Sequence, residues 1–221
     1  MIKAIIFDAD GTLYGVRTER AYKAAADFLE TRTGVKADKI LTEWKKTIDK
    51  INFFIPDARD PQKRDRRYAL KKTLEALELQ GKNTDKIVGE ALDIFWRMAI
   101  EDLEVSPFCL SAVKELNKEY VLAVVSEEFK KNLVRKINQA FSSWEKYFKF
   151  LITPEDTGAM KPSEKYYIEA MKKLNLFPSE ILAVGDSEER DIAPAKKLGI
   201  KTLIFNFKEA ESLLEKVNKL I

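Results

Sequence analysis

Two aspartates one residue apart, Asp8 and Asp10, close a short apolar run that reads Ile2-Lys3-Ala4-Ile5-Ile6-Phe7 and continue into Gly11-Thr12-Leu13. In extended backbone, residues i and i+2 project to the same side, so both carboxylates face one way. Two like charges that close are unfavourable unless a cation or a shared proton relieves them. A hard divalent cation such as Mg2+ suits oxygen ligands of this kind. Gly11 then lets the chain turn sharply. Three more groups with chemical potential follow in the second half of the chain. They are Ser126, Lys161 within Thr157-Gly158-Ala159-Met160-Lys161-Pro162, and Gly185-Asp186-Ser187-Glu188-Glu189-Arg190-Asp191. Carboxylates for a metal, with a hydroxyl and an amine for anionic oxygens, suit phosphoryl transfer, where catalysis is mainly positioning and charge neutralisation.

The elements that must hold these groups are legible from periodicity. The N-terminal run is too short for a helix and reads as a buried strand of a parallel sheet. From about residue 15 to 103 the pattern is helical. Ala21, Ala24, Ala25, Phe28 and Leu29 form one stripe, stopped by Gly34, and Ile40, Leu41, Trp44, Ile48 and Ile51 form a second. Asp60-Pro61 is expected to cap a third helix that Gly81 ends, and Thr84 to cap a fourth. Within this region Ile51, Phe53, Phe54, Ile55 and Pro56 are expected to pack as core. Lys63, Arg64, Arg66 and Arg67 are expected to form a solvated helix face.

After Pro107, helices alternate with predicted strands at 120–125, near 148–152, at 181–184 and at 202–205. Such alternation predicts an α/β fold, a doubly wound parallel sheet. Each chemical group then stands just after a strand, and ligands of open α/β sheets bind outside the carboxyl ends of strands. The expected organisation is an α/β core of residues 1–14 and 104–221, with 15–103 as an all-helical insertion above the strand ends.

Composition narrows the chemistry. With 39 basic and 36 acidic residues among 221, the net charge of +3 gives no case for nucleic acid or an acidic membrane as partner. No apolar stretch approaches the ~18–20 residues of a membrane helix, and Lys3 and Asp8 break the first run too early for a secretory signal. A single cysteine, Cys109, fits a reducing cytoplasm. Glu115 stands six residues on, where a cysteine-phosphatase loop carries Arg, so Cys109 reads as a small buried apolar residue. The absence of histidine removes Ser-His-Asp hydrolysis, phosphohistidine chemistry and most catalytic zinc sites. Acid–base work is left to carboxylates, Lys, Tyr or Cys. A monomer and a homodimer fit the sequence equally.

The four groups, in this order and each at a predicted strand end, resemble the haloacid dehalogenase superfamily of hydrolases, across roughly residues 1–13 and 104–205. The helical insertion resembles the C1-type cap of its phosphoglycolate-phosphatase and haloacid-dehalogenase branch. The resemblance implies Mg2+-dependent hydrolysis of a small phosphomonoester, a phosphorylated metabolite, through an aspartyl-phosphate. Asp8 would be the nucleophile. Asp10 would protonate the leaving alcohol and then deprotonate the attacking water. Mg2+ would be held by the Asp8 carboxylate, the Asp10 backbone carbonyl and Asp186, with Asp191 supporting the metal or orienting Lys161. Ser126 would donate to a phosphoryl oxygen, and Lys161 would neutralise charge and restrain Asp8.

A phosphomutase, a 2-haloacid dehalogenase or a non-catalytic binding protein could stand on the same core. The dehalogenase branch has an aromatic residue where this chain has Asp10, an acid that an oxygen leaving group needs and a halide does not. Two other departures stand out. Glu127 beside Ser126 would repel a phosphate unless turned away or paired. Tyr14-Gly15-Val16 replace the acidic–serine pair that often leads into the cap.

Overall fold

Strand β1 (Ala4–Phe7) is buried along its whole length. It pairs in parallel on both sides, with β2 (Val121–Val125) and with β4 (Ile181–Gly185). A strand covered by neighbours and helices on both faces needs apolar residues at every position, which is why the sequence shows a continuous run and no alternation. The computed structural model describes residues 1–54, 61 and 65–221, with the side chains of 52–54 left out. The five parallel strands take the order β3-β2-β1-β4-β5, with β3 at Leu151–Ile152 and β5 at Lys201–Ile204. Chain direction across the sheet therefore reverses beside β1, between β1 and β4, where an open α/β sheet leaves its crevice.

Two compact units make up the described chain, one of residues 1–16 with 103–221 and the other of residues 17–102. In the first unit the sheet is flanked by α5 (Pro107–Leu116), α6 (Lys130–Phe141), α8 (Lys165–Leu174) and α10 (Leu213–Asn218), with shorter helices α7 (Pro154–Thr157) and α9 (Ala193–Lys197). Ala4, Ile6, Val125, Ile152, Tyr166, Tyr167, Ile181 and Ala183 pack in one core cluster. The third strand is shorter than its apolar run predicts: only Leu151 and Ile152 pair with β2, and Phe148 instead packs edge-on against Phe141, centroids 5.7 Å apart. Cys109 is buried as expected, and burial pushes its thiol up to about 12.

The second unit is built from α1 (Glu19–Thr33), α2 (Ala37–Phe54), α3 (Arg66–Ala76) and α4 (Thr84–Glu101). Gly34 stops α1 in the left-handed region, its N–H donating to Glu30 O. The expected third-helix start at Asp60 and the residues Ile55, Pro56, Lys63 and Arg64 lie outside the described residues, as do the side chains of Phe53 and Phe54. The described helix is capped by Asp65, whose Oδ1 accepts from Arg67 N at 3.0 Å, and it ends at Ala76, before Gly81. Thr84 is the first residue of α4, not its cap; its hydroxyl bonds back to Gly81 O. Arg66 departs from the expected solvated face. Its guanidinium lies 4.6 Å from the Phe95 ring centroid and bonds the Tyr22 hydroxyl, adding a cation–π contact to an aromatic cluster. No described helix is long and apolar enough to cross a membrane.

Phe95 is fully buried, and Tyr22 stands edge-on to it at 4.9 Å between centroids. Phe95→Ala is expected to destabilise the helical unit by about 3–5 kcal/mol. Urea unfolding followed by tryptophan fluorescence in a Trp144→Phe background, so that Trp44 and Trp96 report, measures this; a loss below about 1 kcal/mol would contradict the packing.

Candidate active site

The first loop is shaped by a turn at the carboxyl end of β1. Ala9 O accepts from Thr12 N (3.2 Å) and Leu13 N (2.9 Å), while Asp8 N still donates to Val184 O of β4 (2.8 Å). Gly11 has φ +86°, and a Cβ there would sit 2.3 Å from Asp186 Oδ2. That position therefore demands glycine twice over, for its backbone angle and for the approach of Asp186. Thr12 Oγ1, fully buried, donates to Asp8 Oδ2 at 3.2 Å.

Lys161 reaches the same carboxylate from the loop after β3. The Tyr166 hydroxyl donates to Ala159 O (2.8 Å) and so ties that loop to α8. The buried ammonium lies 2.6 Å from Asp8 Oδ1 and 2.6 Å from Asp191 Oδ1. Asp191 stands in a turn of π-helix, Glu188–Ile192, that follows β4. Its Oδ2 accepts from Ser187 N (3.1 Å), and its backbone carbonyl accepts from the Tyr167 hydroxyl (2.9 Å). Single π-turns inside helices recur at functional sites because they re-aim a side chain. Gly185 makes room for this: a Cβ there would lie 2.5 Å from Asp191 Cβ.

Electrostatics mark the cluster as short of positive charge. Oxygens of Asp8, Asp186 and Asp191 all lie within 4.8 Å of one another. Burial, with Asp191 adding to it against the pull of Lys161, pushes the Asp8 carboxyl up to about 7. Burial and Asp191 also raise Asp186. Burial works against the Lys161 charge, but Asp8 and Asp191 outweigh it and hold the ammonium well above the usual lysine range. The all-carboxylate donor set of this cluster fits a hard divalent ion.

Asp8, Asp186, Asp191 and Lys161 are thus brought together, and Ser126 is buried at the end of β2, its N–H donating to Ile152 O (2.9 Å) and its Oγ accepting from Glu128 N (3.1 Å). The Asp10 side chain turns elsewhere: its Oδ2 meets Lys136 Nζ at 2.6 Å. Glu127 is ion-paired with Arg190, the paired state in which it need not repel an anion. Sequence reasoning missed Thr12, Tyr14, Glu128 and Lys136. Lys136 did leave a signal, since it falls on the apolar stripe of α6 beside Leu133 and Ile137, where a charge is out of place.

A family profile for haloacid dehalogenase-like hydrolases matches residues 2–199. The chain belongs to this family. Among curated proteins, this haloacid dehalogenase-like chain is 26% identical to a ribulose-1,5-bisphosphate 5-phosphatase of Halopiger xanaduensis, over 99% of this chain and 91% of that one. It is also 26% identical to a glyceraldehyde 3-phosphate phosphatase of Methanocaldococcus jannaschii, over 92% and 84%. Its fold matches a 2-haloacid dehalogenase structure from Pseudomonas syringae pv. tomato with TM-score 0.74 at 21% identity, covering 100% of both chains. A haloacid dehalogenase-type phosphatase from Thermococcus onnurineus gives TM-score 0.66 at 23% identity, covering 93% of this chain and 86% of that one.

Removing Lys161 leaves Asp8 and Asp191 facing each other in the interior. Lys161→Met is expected to lower stability by about 3–5 kcal/mol at neutral pH. The unpaired carboxyls then bind protons more tightly folded than unfolded, so the deficit is expected to shrink as pH falls towards about 5. Denaturant titrations of both proteins at several pH values test this; a deficit that grows on acidification would contradict it.

Proposed function

We propose that the protein is a Mg2+-dependent phosphatase that hydrolyses a small phosphomonoester through an aspartyl-phosphate on Asp8. The observation that carries this is the Lys161 ammonium, bound at 2.6 Å to both Asp8 and Asp191, at the carboxyl edge of a parallel sheet beside Asp186. Asp8 is thereby held in one orientation, as an in-line nucleophile must be. An Asp8 oxygen attacks phosphorus while the bond from phosphorus to the alcohol oxygen breaks. Asp10 gives that oxygen its proton. Water then attacks the phosphorus of the aspartyl-phosphate, Asp10 takes a proton from it, and the bond to Asp8 breaks to release inorganic phosphate. Ser126 donates to a phosphoryl oxygen, and Lys161 offsets the charge that builds there.

The Asp8 and Asp186 carboxylates and the Asp10 backbone carbonyl fit Mg2+. When bound, it supplies the positive charge that lets a phosphate dianion approach this acidic edge. Asp191 has one oxygen on Lys161 and the other on Ser187 N–H, so its role is to hold Lys161. The helical insertion takes the part of a substrate-selecting cap. The names of the relatives, phosphatases of ribulose bisphosphate and glyceraldehyde phosphate, support a small phosphorylated metabolite as substrate. The single cysteine supports a reducing cytoplasm as the setting. Asp10, where dehalogenases carry an aromatic residue, supports an oxygen leaving group over a halide.

With p-nitrophenyl phosphate, turnover is expected only with Mg2+, and Asp8→Asn is expected to lower kcat by about a thousandfold or more. Unchanged turnover in that variant would sink the mechanism. A carboxyl titrating at about 7 holds a proton that the metal must displace. Apparent Mg2+ affinity is therefore expected to fall up to about tenfold per pH unit below about pH 7, and to level off above it. Calorimetric titration across that range measures it, and a pH-independent affinity contradicts it.

A further inference from the structure

Lys136 is a lysine where α6 should carry an apolar residue. It is 2% exposed and reaches out of the apolar stripe to Asp10 Oδ2 (2.6 Å) and Glu128 Oε2 (2.9 Å). Burying an ammonium is strongly unfavourable unless it is paired and hydrogen-bonded. Burial works against its charge, yet Asp10 and Glu128 hold it above the ordinary lysine range. Glu128 is itself fixed, its Oε1 accepting from Phe129 N at 3.0 Å. A buried ion pair of this kind is weak evidence for stability, and is better understood as a device for geometric specificity.

The two oxygens of Asp10 are in different surroundings. Oδ1 is buried, and so is the Tyr14 hydroxyl, which interacts with the Asp10 carboxylate. Burial first, and then the facing Asp10 carboxylate, push the Tyr14 phenol well above its usual range. The Asp10 side chain as a whole is nevertheless 38% exposed. That exposure does not belong to Oδ1, so Oδ1 is turned inward towards Tyr14. Oδ2 is the oxygen left to meet a ligand, with one lone pair on Lys136 and another available.

We propose that Lys136, braced by Glu128, is a positioning residue for proton transfer by Asp10: it holds the carboxylate in the one orientation that points Oδ2 at the leaving-group oxygen. The inference rests on the phosphatase reading and extends it to residues outside the four strand-end motifs. Its action is geometric. Without the ammonium, Oδ2 loses the contact that fixes it, and the acid is lost from the place where the alcohol oxygen departs. The effect must then follow the leaving group's need for a proton.

The test compares wild type, Lys136→Met and Glu128→Gln on phenyl phosphate, whose leaving group needs a proton, and on 2,4-dinitrophenyl phosphate, whose leaving group does not. kcat/KM reports the steps through phosphoryl transfer. For Lys136→Met it is expected to fall about 30–100-fold on phenyl phosphate and less than about threefold on the dinitrophenyl ester. Glu128→Gln, which keeps Lys136 and the side-chain volume, is expected to show the same contrast at about 5–10-fold, and decides the matter if Lys136→Met does not fold. In an Asp10→Asn background, Lys136→Met is expected to add no more than about twofold. Equal losses on both esters, or full additivity with Asp10→Asn, would overturn this inference and leave the phosphatase reading standing. Absence of turnover by the wild-type protein on both esters would overturn the two together.

Discussion

The ion triplet Asp8–Lys161–Asp191 is the constraint on which the first unit's active edge depends. Its members come from three places far apart in sequence: the end of β1, the loop after β3 and the π-turn after β4. Each is nearly or fully buried, so none can leave without stranding the others. Desolvating three charges in this way is unfavourable compared with an apolar core; Thr12 and the Ser187 N–H satisfy the remaining carboxylate oxygens, and the Tyr167 hydroxyl holds the Asp191 backbone carbonyl. The glycines at 11 and 185 follow from the same requirement, because a side chain at either would strike Asp186 or Asp191. The parallel sheet makes the convergence possible, since β1, β2 and β4 run side by side and deliver their carboxyl ends to one edge.

Once fixed, the triplet sets the chemistry around it. Burial, with Asp191 beside them, raises Asp8 and Asp186, and this carboxylate set fits a divalent cation. A second ion network lies alongside. Lys136 couples Asp10 to Glu128, so Asp8 and Asp10, although two residues apart, are oriented by different lysines on different elements. This separation gives a physical basis for different roles. In the proposed mechanism Asp8, held by Lys161, attacks phosphorus, and Asp10, held by Lys136, exchanges the proton.

Much of this was legible in the sequence because strand-end chemistry has short-range signatures. The buried run before Asp8, the glycine turns and the strand-ending Asp186 can each be read within a dozen residues, and doubly wound topology then brings them together. What escaped had no local signature. Glu128 and Tyr14 are ordinary loop residues until tertiary contacts give them partners. Lys136 was visible only as a charge out of phase with its helix. The π-turn that aims Asp191 is a one-residue irregularity that periodicity does not resolve. Boundaries failed for similar reasons: the third strand shrank to two residues because pairing with β2, not apolar character, defines it.

The most direct test of the account is to identify the phosphorylated residue during turnover. The protein would be mixed with Mg2+ and p-nitrophenyl phosphate, quenched in acid, and treated with borohydride, which reduces an acyl-phosphate to the alcohol and so converts the aspartate concerned into homoserine. Peptide mass mapping then locates it. The account predicts conversion at Asp8 alone, dependent on substrate and absent when substrate is omitted. Conversion at another carboxylate, or none while phosphate is being released under the same conditions, would contradict it.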